Sequence, residues 1–317
     1  MHIVLSRHRH ALSLLAAAAS WGIAAVISKR AVTEIPPLTL LSVQLSVSVV
    51  LLLALLIARG RRLALSPGLG RLGALGLLNP GVSYALSLAG LTTVTASLSV
   101  LLWATEPLMI VGLAWWLLGE RISKPLAAAV AVAATGVAFV VAQPGTTGRV
   151  AGIALTLAGV AACALYTVVA GKLMAAESTL EVVAAQQLAA LGLALLLVGV
   201  VSVMNGYPEL SDVSVEAWLS AVVSGMLYYA IAFWFYLSGL RRVPAAVAGL
   251  FINLVPVFGV AAGHILLSES LTPRQWVGGG IILIAVSATV ILQSRSDSPS
   301  PPRKEPEARN TARHQAH

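Results

Sequence analysis

Charge is the scarcest feature of this sequence. Only 10% of its 317 residues are Lys, Arg, Asp or Glu, where a soluble domain carries roughly 25%. With 58% hydrophobic residues, the chain cannot cover its apolar surface with polar groups. That excludes an ordinary soluble fold and makes lipid the expected solvent. Cysteine is nearly absent: Cys163 stands alone, which excludes an internal disulfide, and its apolar surroundings suggest a small packing residue. No GxxxxGK[ST] loop is present, so direct coupling to ATP within this chain is excluded. The net charge is +8. No basic stretch is interleaved with aromatics, so a nucleic-acid partner is not expected, and the excess reads as membrane topology. No cofactor or metal is expected.

What is present is long apolar runs. Ten lie near the length of about 20 residues that crosses a hydrocarbon core as a helix: roughly 11–28, 38–58, 69–89, 96–118, 125–142, 150–170, 182–203, 216–238, 245–267 and 275–292. Backbone groups in lipid must be satisfied within the segment, which selects helices. The start imitates a secretory signal, with basic residues, an apolar run and AAAAS. The run continues to Ile27, so the segment is expected to be retained. The stretch from Gln293 is polar and rich in proline, and reads as a disordered tail over 293–317.

Lys and Arg set the direction. With the N-terminus (1–10) inside, sixteen fall on the inner side and four on the outer: Lys29, Arg30, Arg149 and Arg274. Both termini are therefore expected in the cytoplasm and the chain in the cell's inner (plasma) membrane.

A shift of 149 residues aligns two stretches without a gap. The segment from Thr92 falls on that from Arg241, so that Pro107 meets Pro256 and Glu120 meets Glu269. Upstream, Gly76 meets Gly225 and Gly90 meets Gly239. Each half holds five spans, and an odd number inverts the second half relative to the first. The loops agree: uncharged GLTTVTAS corresponds to GLRRVPAA, which carries two arginines. Inverted repeats of this kind characterise secondary transporters, with a substrate site near the midplane between the halves.

On these residues the chain resembles the drug/metabolite transporter superfamily, in particular its EamA-type members. The marks are Trp21-Gly22, the central prolines Pro107 and Pro256, and the endings GERIS (119–123) and SESLT (268–272). CALY (163–166) stands where the second half would carry a tryptophan motif. The resemblance implies an all-α integral membrane fold of ten transmembrane helices in two inverted five-helix repeats, 11–142 and 150–292, joined by a linker at 143–149. It also implies a central cavity and export or exchange of small metabolites.

The midplane residues supply candidates. Glu106 lies about ten residues into the fourth span, where a charge costs roughly 2.5–3.5 kcal/mol. No Lys or Arg lies deep in any span, and His264 sits too far out. A carboxyl buried without a base favours its neutral form, so Glu106 is expected to be protonated at rest or to await a cation. Either it holds a proton or substrate, or it is a structural acid bonded to a neighbouring helix. Pro107 denies a hydrogen bond to the carbonyl of Trp103, as Pro256 does to Ile252. With Pro80, these read as hinges or static kinks. Asn79, Tyr84, Gln44, Gln186, Tyr228, Tyr229 and Asn253 are further polar groups at this depth. Asn79, Tyr84 and Tyr228 are the ones expected to contact substrate. Trp103, one turn before Glu106 on the same helical face, offers a π-face. Glu120 and Glu269 read as caps or loop anchors.

These residues favour a non-enzymatic secondary transporter for an amino acid or related compound, in contact with lipid, with a homodimer left open. The alternative is an integral membrane enzyme acting on lipid-linked substrates. That enzyme needs clustered acids and an arginine at the membrane centre, and a sugar-phosphate exchanger needs a buried Lys or Arg. Neither pattern is present.

Overall fold

A computed structural model describes residues 2–61, 63, 66–119, 123–141, 147–173, 179–240 and 251–296. Glu120, Arg241, Arg242, most of the 143–149 linker, the start of the expected ninth span (245–250) and the tail beyond Ser296 lie outside the described residues.

The described residues are helical throughout, with no strand. α1 (His2–Val32) and α2 (Pro37–Ala58) are followed by α3 (Pro67–Ala74) and α4 (Ser83–Leu91), which a tight 3-10 turn and a wide π turn join. α5 (Ala96–Trp103) and α6 (Glu106–Leu118) make the next span, and α7 (Lys124–Val141) closes the first half. The second half runs α8 (Thr147–Leu173), α9 (Thr179–Asn205), α10 (Val215–Gly225), a second π turn, α11 (Ala232–Leu240), α12 (Val255–Leu267) and α13 (Pro273–Ser296). Seven of these helices or helix pairs are long and apolar enough to cross a membrane; Lys124–Val140 and Val255–Leu267 are shorter apolar helices. Three expected helix boundaries move. α1 already begins at His2, inside the segment read as an N-terminal extension, α8 begins at Thr147, inside the segment read as linker, and α13 runs through 293–296, read as tail.

Helix starts follow from the sequence. Pro37, Pro67, Pro107 and Pro256 occupy first-turn positions, where the missing N–H costs nothing. Ser66, Thr95 and Ser214 cap α3, α5 and α10 by accepting from Leu69, Leu98 and Ala217. α6 and α12 both end on a left-handed residue, Gly119 (φ 67°) and Ser268 (φ 52°). These two positions correspond under the 149-residue shift, so the same turn is made once with the residue that tolerates it and once without.

The packing exchanges the two halves. α1 lies against α10, α11 and α12, while α8 lies against α4 and α6. α2 packs on α9, and α7 on α13. Gly76 is pressed against the Gln186 backbone, and its counterpart Gly225 against the Gln44 backbone. Likewise Gly90 meets Gly152 and Thr156, and Gly239 meets His10 and Leu14. In these pairs the early helices correspond at a shift of 142 rather than 149. Most of the extra residues fall in α9, which runs 27 residues where α2 runs 22. α5 and α12 run antiparallel: Gly263 faces Ser97, Gly259 faces Val100, and Glu269 accepts from the Ala96 and Ser97 N–H groups at 2.8 Å. That satisfies two donors at the α5 N-terminus and sets a negative charge against its positive dipole end. Glu269 is thus the cap its sequence suggested.

Polar side chains knit the interior. Gln44 donates to Ser28 (2.9 Å) and Ser224 (2.7 Å), and Gln186 donates to the Leu72 carbonyl and accepts from Tyr166. Bonds of this kind contribute about 0.6 kcal/mol on average within membranes. Gln44 and Gln186, candidates for substrate contact, are thus engaged between helices. Asn253 also reaches a neighbouring helix, donating to Ser287 at 3.4 Å.

Two outcomes follow. Gly225→Ala places a methyl 2.7 Å from the Gln44 Cα and should cost about 1–3 kcal/mol by overpacking. Gly192→Ala, with nothing within 4 Å, should stabilise by about 0.5–1 kcal/mol. Thermal unfolding in detergent checks both. In the α1–α2 connection, Glu34 accepts from the backbone N–H of Ser214 (2.7 Å) and from its hydroxyl (2.9 Å). These bonds, chiefly the backbone one, hold its carboxyl below the ordinary 4.5, with a smaller contribution from Arg30. A depressed carboxyl stabilises above its unfolded pKa and loses that contribution as pH falls through the folded value. The unfolding-temperature gap between wild type and Glu34→Gln should therefore be constant above about pH 6 and close below about pH 4.

Candidate functional site

Four interruptions of helix lie within the apolar spans. The first answers why an acid and a proline stand together in an apolar span. α5 stops at Trp103 and α6 restarts at Glu106. In the turn between them, Thr105 N–H donates to the Leu102 carbonyl (3.1 Å) and Leu108 N–H to the Thr105 carbonyl (3.0 Å). Pro107 has no N–H to offer Trp103. Glu106 is therefore the first residue of a new half-helix, at its positive end, where a carboxylate is favoured. The second interruption is its counterpart: Leu254 N–H donates to the Phe251 carbonyl (3.0 Å), and α12 restarts at Val255-Pro256.

The other two are π turns, Leu78–Val82 and Met226–Ile231, which correspond at a shift of 149. Asn79 (φ −141°, ψ 120°) leaves helical geometry altogether, and its Oδ1 accepts from Ser83 Oγ at 2.6 Å. In the second turn, the Tyr228 carbonyl accepts from Trp21 Nε1 (3.1 Å) and the Tyr229 carbonyl from Gln187 Nε2 (3.0 Å). Side chains thus serve carbonyls that a wide turn exposes. Trp21, read in the sequence only as a family mark, anchors this turn.

Aromatic rings gather between these breaks. The Tyr84 ring centroid lies 5.3 Å from Trp103, 5.3 Å from Tyr228 and 5.1 Å from Tyr229. Tyr228 and Tyr229 are 5.5 Å apart. Tyr229 is 1% exposed, and its hydroxyl has no hydrogen-bond partner. Glu106 Oε1 accepts from Cys163 Sγ at 3.3 Å, and the Thr167 hydroxyl, one turn on, donates to the Cys163 carbonyl at 3.0 Å. Tyr84 is within electrostatic reach of both Glu106 and Cys163.

Of the sequence candidates, Glu106, Tyr84, Tyr228 and Trp103 come together here. Asn79 is held one turn before Tyr84 by Ser83 and makes no ring contact of this kind. Trp103 and Glu106 do not share a helical face, because the helix ends between them. Pro107 and Pro256 sit at the breaks, and Pro80 lies within the first π turn. Cys163, Thr167 and Trp21 were missed. A shift of 142 sets Cys163 opposite Trp21, which is the signal that could have found it. His264, as expected, is peripheral: it is exposed and its Nδ1 lies 3.0 Å from the Glu269 carbonyl. A groove of ≈ 280 Å³ near Arg30, between α1, α10 and α12, is a separate feature.

Trp21→Phe keeps the ring packing on Phe233 and Tyr236 but leaves the Tyr228 carbonyl unserved. It should cost about 0.5–1.5 kcal/mol, read as a lower unfolding temperature in detergent with unchanged helical content.

Comparison with known proteins agrees with this architecture. An uncharacterized transporter of Archaeoglobus fulgidus is 25% identical over 271 residues, covering 85% of this chain and 94% of that protein. The uncharacterized transporter YetK of Bacillus subtilis is 26% identical over 216 residues, 67% of this chain and 64% of that protein. One crystal structure superposes with a TM-score of 0.64 at 22% identity, covering 91% of this chain and 99% of its own, and so shares the fold. The model of the EamA-like transporter family matches twice, at residues 9–142 and 150–291. With these matches across an all-helical chain of long apolar spans, the protein belongs to the EamA-like transporter family and is a multi-pass membrane transporter.

Proposed function

We propose that this chain is a secondary active transporter that moves a small metabolite, an amino acid or related compound, by alternating access, in efflux or exchange. In this reading ten spans form two inverted repeats, 11–142 and 150–292, joined at 143–149. Both termini are cytoplasmic, in the cell's inner membrane. One observation carries the proposal: a single acid stands at the start of a broken half-helix, next in the chain to a cluster of rings, with a neutral thiol as its donor. Broken helices at a midplane site are how secondary transporters expose backbone and charge to cargo. The counterpart of Glu106 is Val255, so the chemistry is done once per chain.

The mechanism follows from that placement. Glu106 releases its proton in the cavity or pairs with a cationic group of the cargo, and the five-helix bundles rock about the site. Pro107, Pro256 and Pro80 absorb the bending, since each lies where the α-helical ladder is already interrupted. The alternative reading, an integral membrane enzyme acting on lipid-linked substrates, would need clustered acids and an arginine at the membrane centre.

The test is exchange in proteoliposomes loaded with a panel of amino acids and related compounds, with a pH-sensitive dye reporting proton flux. Glu106→Gln should slow pH-driven exchange by about tenfold or more, the scale of losing a group that acts in proton transfer. An unchanged rate removes Glu106 from the mechanism.

A further inference from the structure

We propose that the groove beside Arg30 holds one phospholipid with an ethanolamine headgroup. Its phosphodiester sits on Arg30, its ammonium group on Glu216, and the upper part of one acyl chain between α1, α10 and α12. The site lies apart from the broken helices and the ring cluster. With both termini cytoplasmic, the surface it opens on is the outer one; the leaflet, though not the site, rests on that orientation.

The groove forms where three helices reach one membrane surface: α1 near its end, α10 near its start and α12 at its end. α1 packs against both of the others and supplies the floor, where Val26 is 1% exposed. Leu219 and Val223 of α10 and Leu266 of α12 make the walls and stay well exposed. Val26 precedes Arg30 by one turn, as Leu219 precedes Val223, so the groove runs about 6 Å along the helices. Its volume of ≈ 280 Å³ falls just short of the roughly 300–1,000 Å³ of a site that encloses a small ligand. It is sized for the first few methylenes of a chain whose remainder stays in the bilayer.

Apolar shape alone selects nothing here, because lipid tails are as apolar as leucine. Selection comes from the charges at the mouth. Arg30 is exposed in the last turn of α1. Glu216 is exposed in the first turn of α10, one turn before Ser220 of the groove wall. Residues 216, 219, 220 and 223 thus share one face of α10. Among the described residues, neither the Arg30 guanidinium nor the Glu216 carboxylate makes a hydrogen bond or an ion pair, with each other or elsewhere. The adjacent charges are committed: Lys29 donates to the Leu91 carbonyl at 2.7 Å, and Glu34 is held by Ser214.

A guanidinium fork takes two phosphate oxygens at once, and the Ser220 hydroxyl can donate to a third. An anionic headgroup would satisfy Arg30 but meet the negative charges of Glu216 and Glu34. A choline headgroup carries the right charges, yet its quaternary nitrogen has no N–H to give Glu216. Ethanolamine supplies both a phosphate for the arginine and ammonium donors for the acid.

The test is native mass spectrometry of the purified, lipid-stripped full-length protein. It is offered equal amounts of phosphatidylethanolamine, phosphatidylcholine and phosphatidylglycerol with identical acyl chains. The ethanolamine lipid should be bound at least about fivefold more than either of the others, the equivalent of about 1 kcal/mol. Arg30→Gln should lower binding of all three by a similar factor. Glu216→Gln should erase the preference over choline and keep binding itself. Leu219→Trp, which fills the groove, should lower binding of all three. Arg274→Gln removes another exposed arginine, in the first turn of α13, and should change nothing. All four variants alter exposed side chains and should unfold within a few degrees of wild type in lipid-free detergent. Equal binding of the three lipids, a preference for the glycerol lipid, or equal losses in the two arginine variants overturns the site. A dimer that Leu219→Trp dissociates while lipid binding stays unchanged gives the groove to a second copy of the chain, and overturns it as well.

Discussion

A backbone surrounded by lipid has no water to complete its hydrogen bonds, and this constraint governs the molecule. Among the described residues of the spans, α-helices satisfy it except at Ala104–Thr105, at Asn253–Leu254, and in the two π turns with the 3-10 turn that leads into the first. Such departures are tolerated only where protein covers them, and the coverings can be named. Trp21 and Gln187 serve the Tyr228 and Tyr229 carbonyls, and the Thr105 hydroxyl serves the Leu102 carbonyl. Each break therefore fixes what must pack beside it. α1 supplies Trp21 against the second π turn and Gly22 against the first turn of α12, and α8 supplies Cys163 against Glu106 at the start of α6. The exchange of partners between halves is a consequence of this need, met once in each half.

Close helix approach makes the plan rigid. Gly76 and Gly225 bring backbones together, and the carboxyl of Glu269 ties the end of α12 to the start of α5. Against that symmetric frame the differences stand out. Under the repeat Glu106 corresponds to Val255, and Cys163 to Trp21. The first half carries both the tryptophan and the acid, and the second half supplies the thiol that donates to the acid. Symmetry builds the seam, and its local violation gives the seam a polarity.

Much of this was legible in the amino-acid sequence, because it depends on residues with few alternative uses. Long apolar runs can only be spans, Pro107 and Pro256 can only interrupt a ladder, and an acid among them needs a reason. Gathering Tyr84, Trp103 and Tyr228 beside Glu106 was also within reach, since all lie at one depth. The remainder was not, for physical reasons. A π turn leaves no residue signature, so Met226–Ile231 was read as ordinary helix and Leu78–Val82 only as a proline hinge or kink. Cys163 looked like packing because nothing local distinguishes a thiol beside a carboxyl from one beside a methyl. Trp103 and Glu106 were placed on one face because helical periodicity was carried across a proline that ends it. Helix ends also moved outward: α1 and α13 continue beyond their apolar cores, where composition stops signalling and backbone hydrogen bonding continues.

The central claim is that two halves of one plan lie antiparallel across the membrane. The connections α2–α3 and α9–α10 correspond under the repeat and test it directly. With Cys163 replaced by alanine, single cysteines at the exposed positions Ser66 and Tyr207 can be challenged in intact cells with a membrane-impermeant thiol reagent. The account predicts that the cysteine at 207 reacts from outside and that the one at 66 reacts only after the cells are opened. Labelling of both from the same face would contradict it.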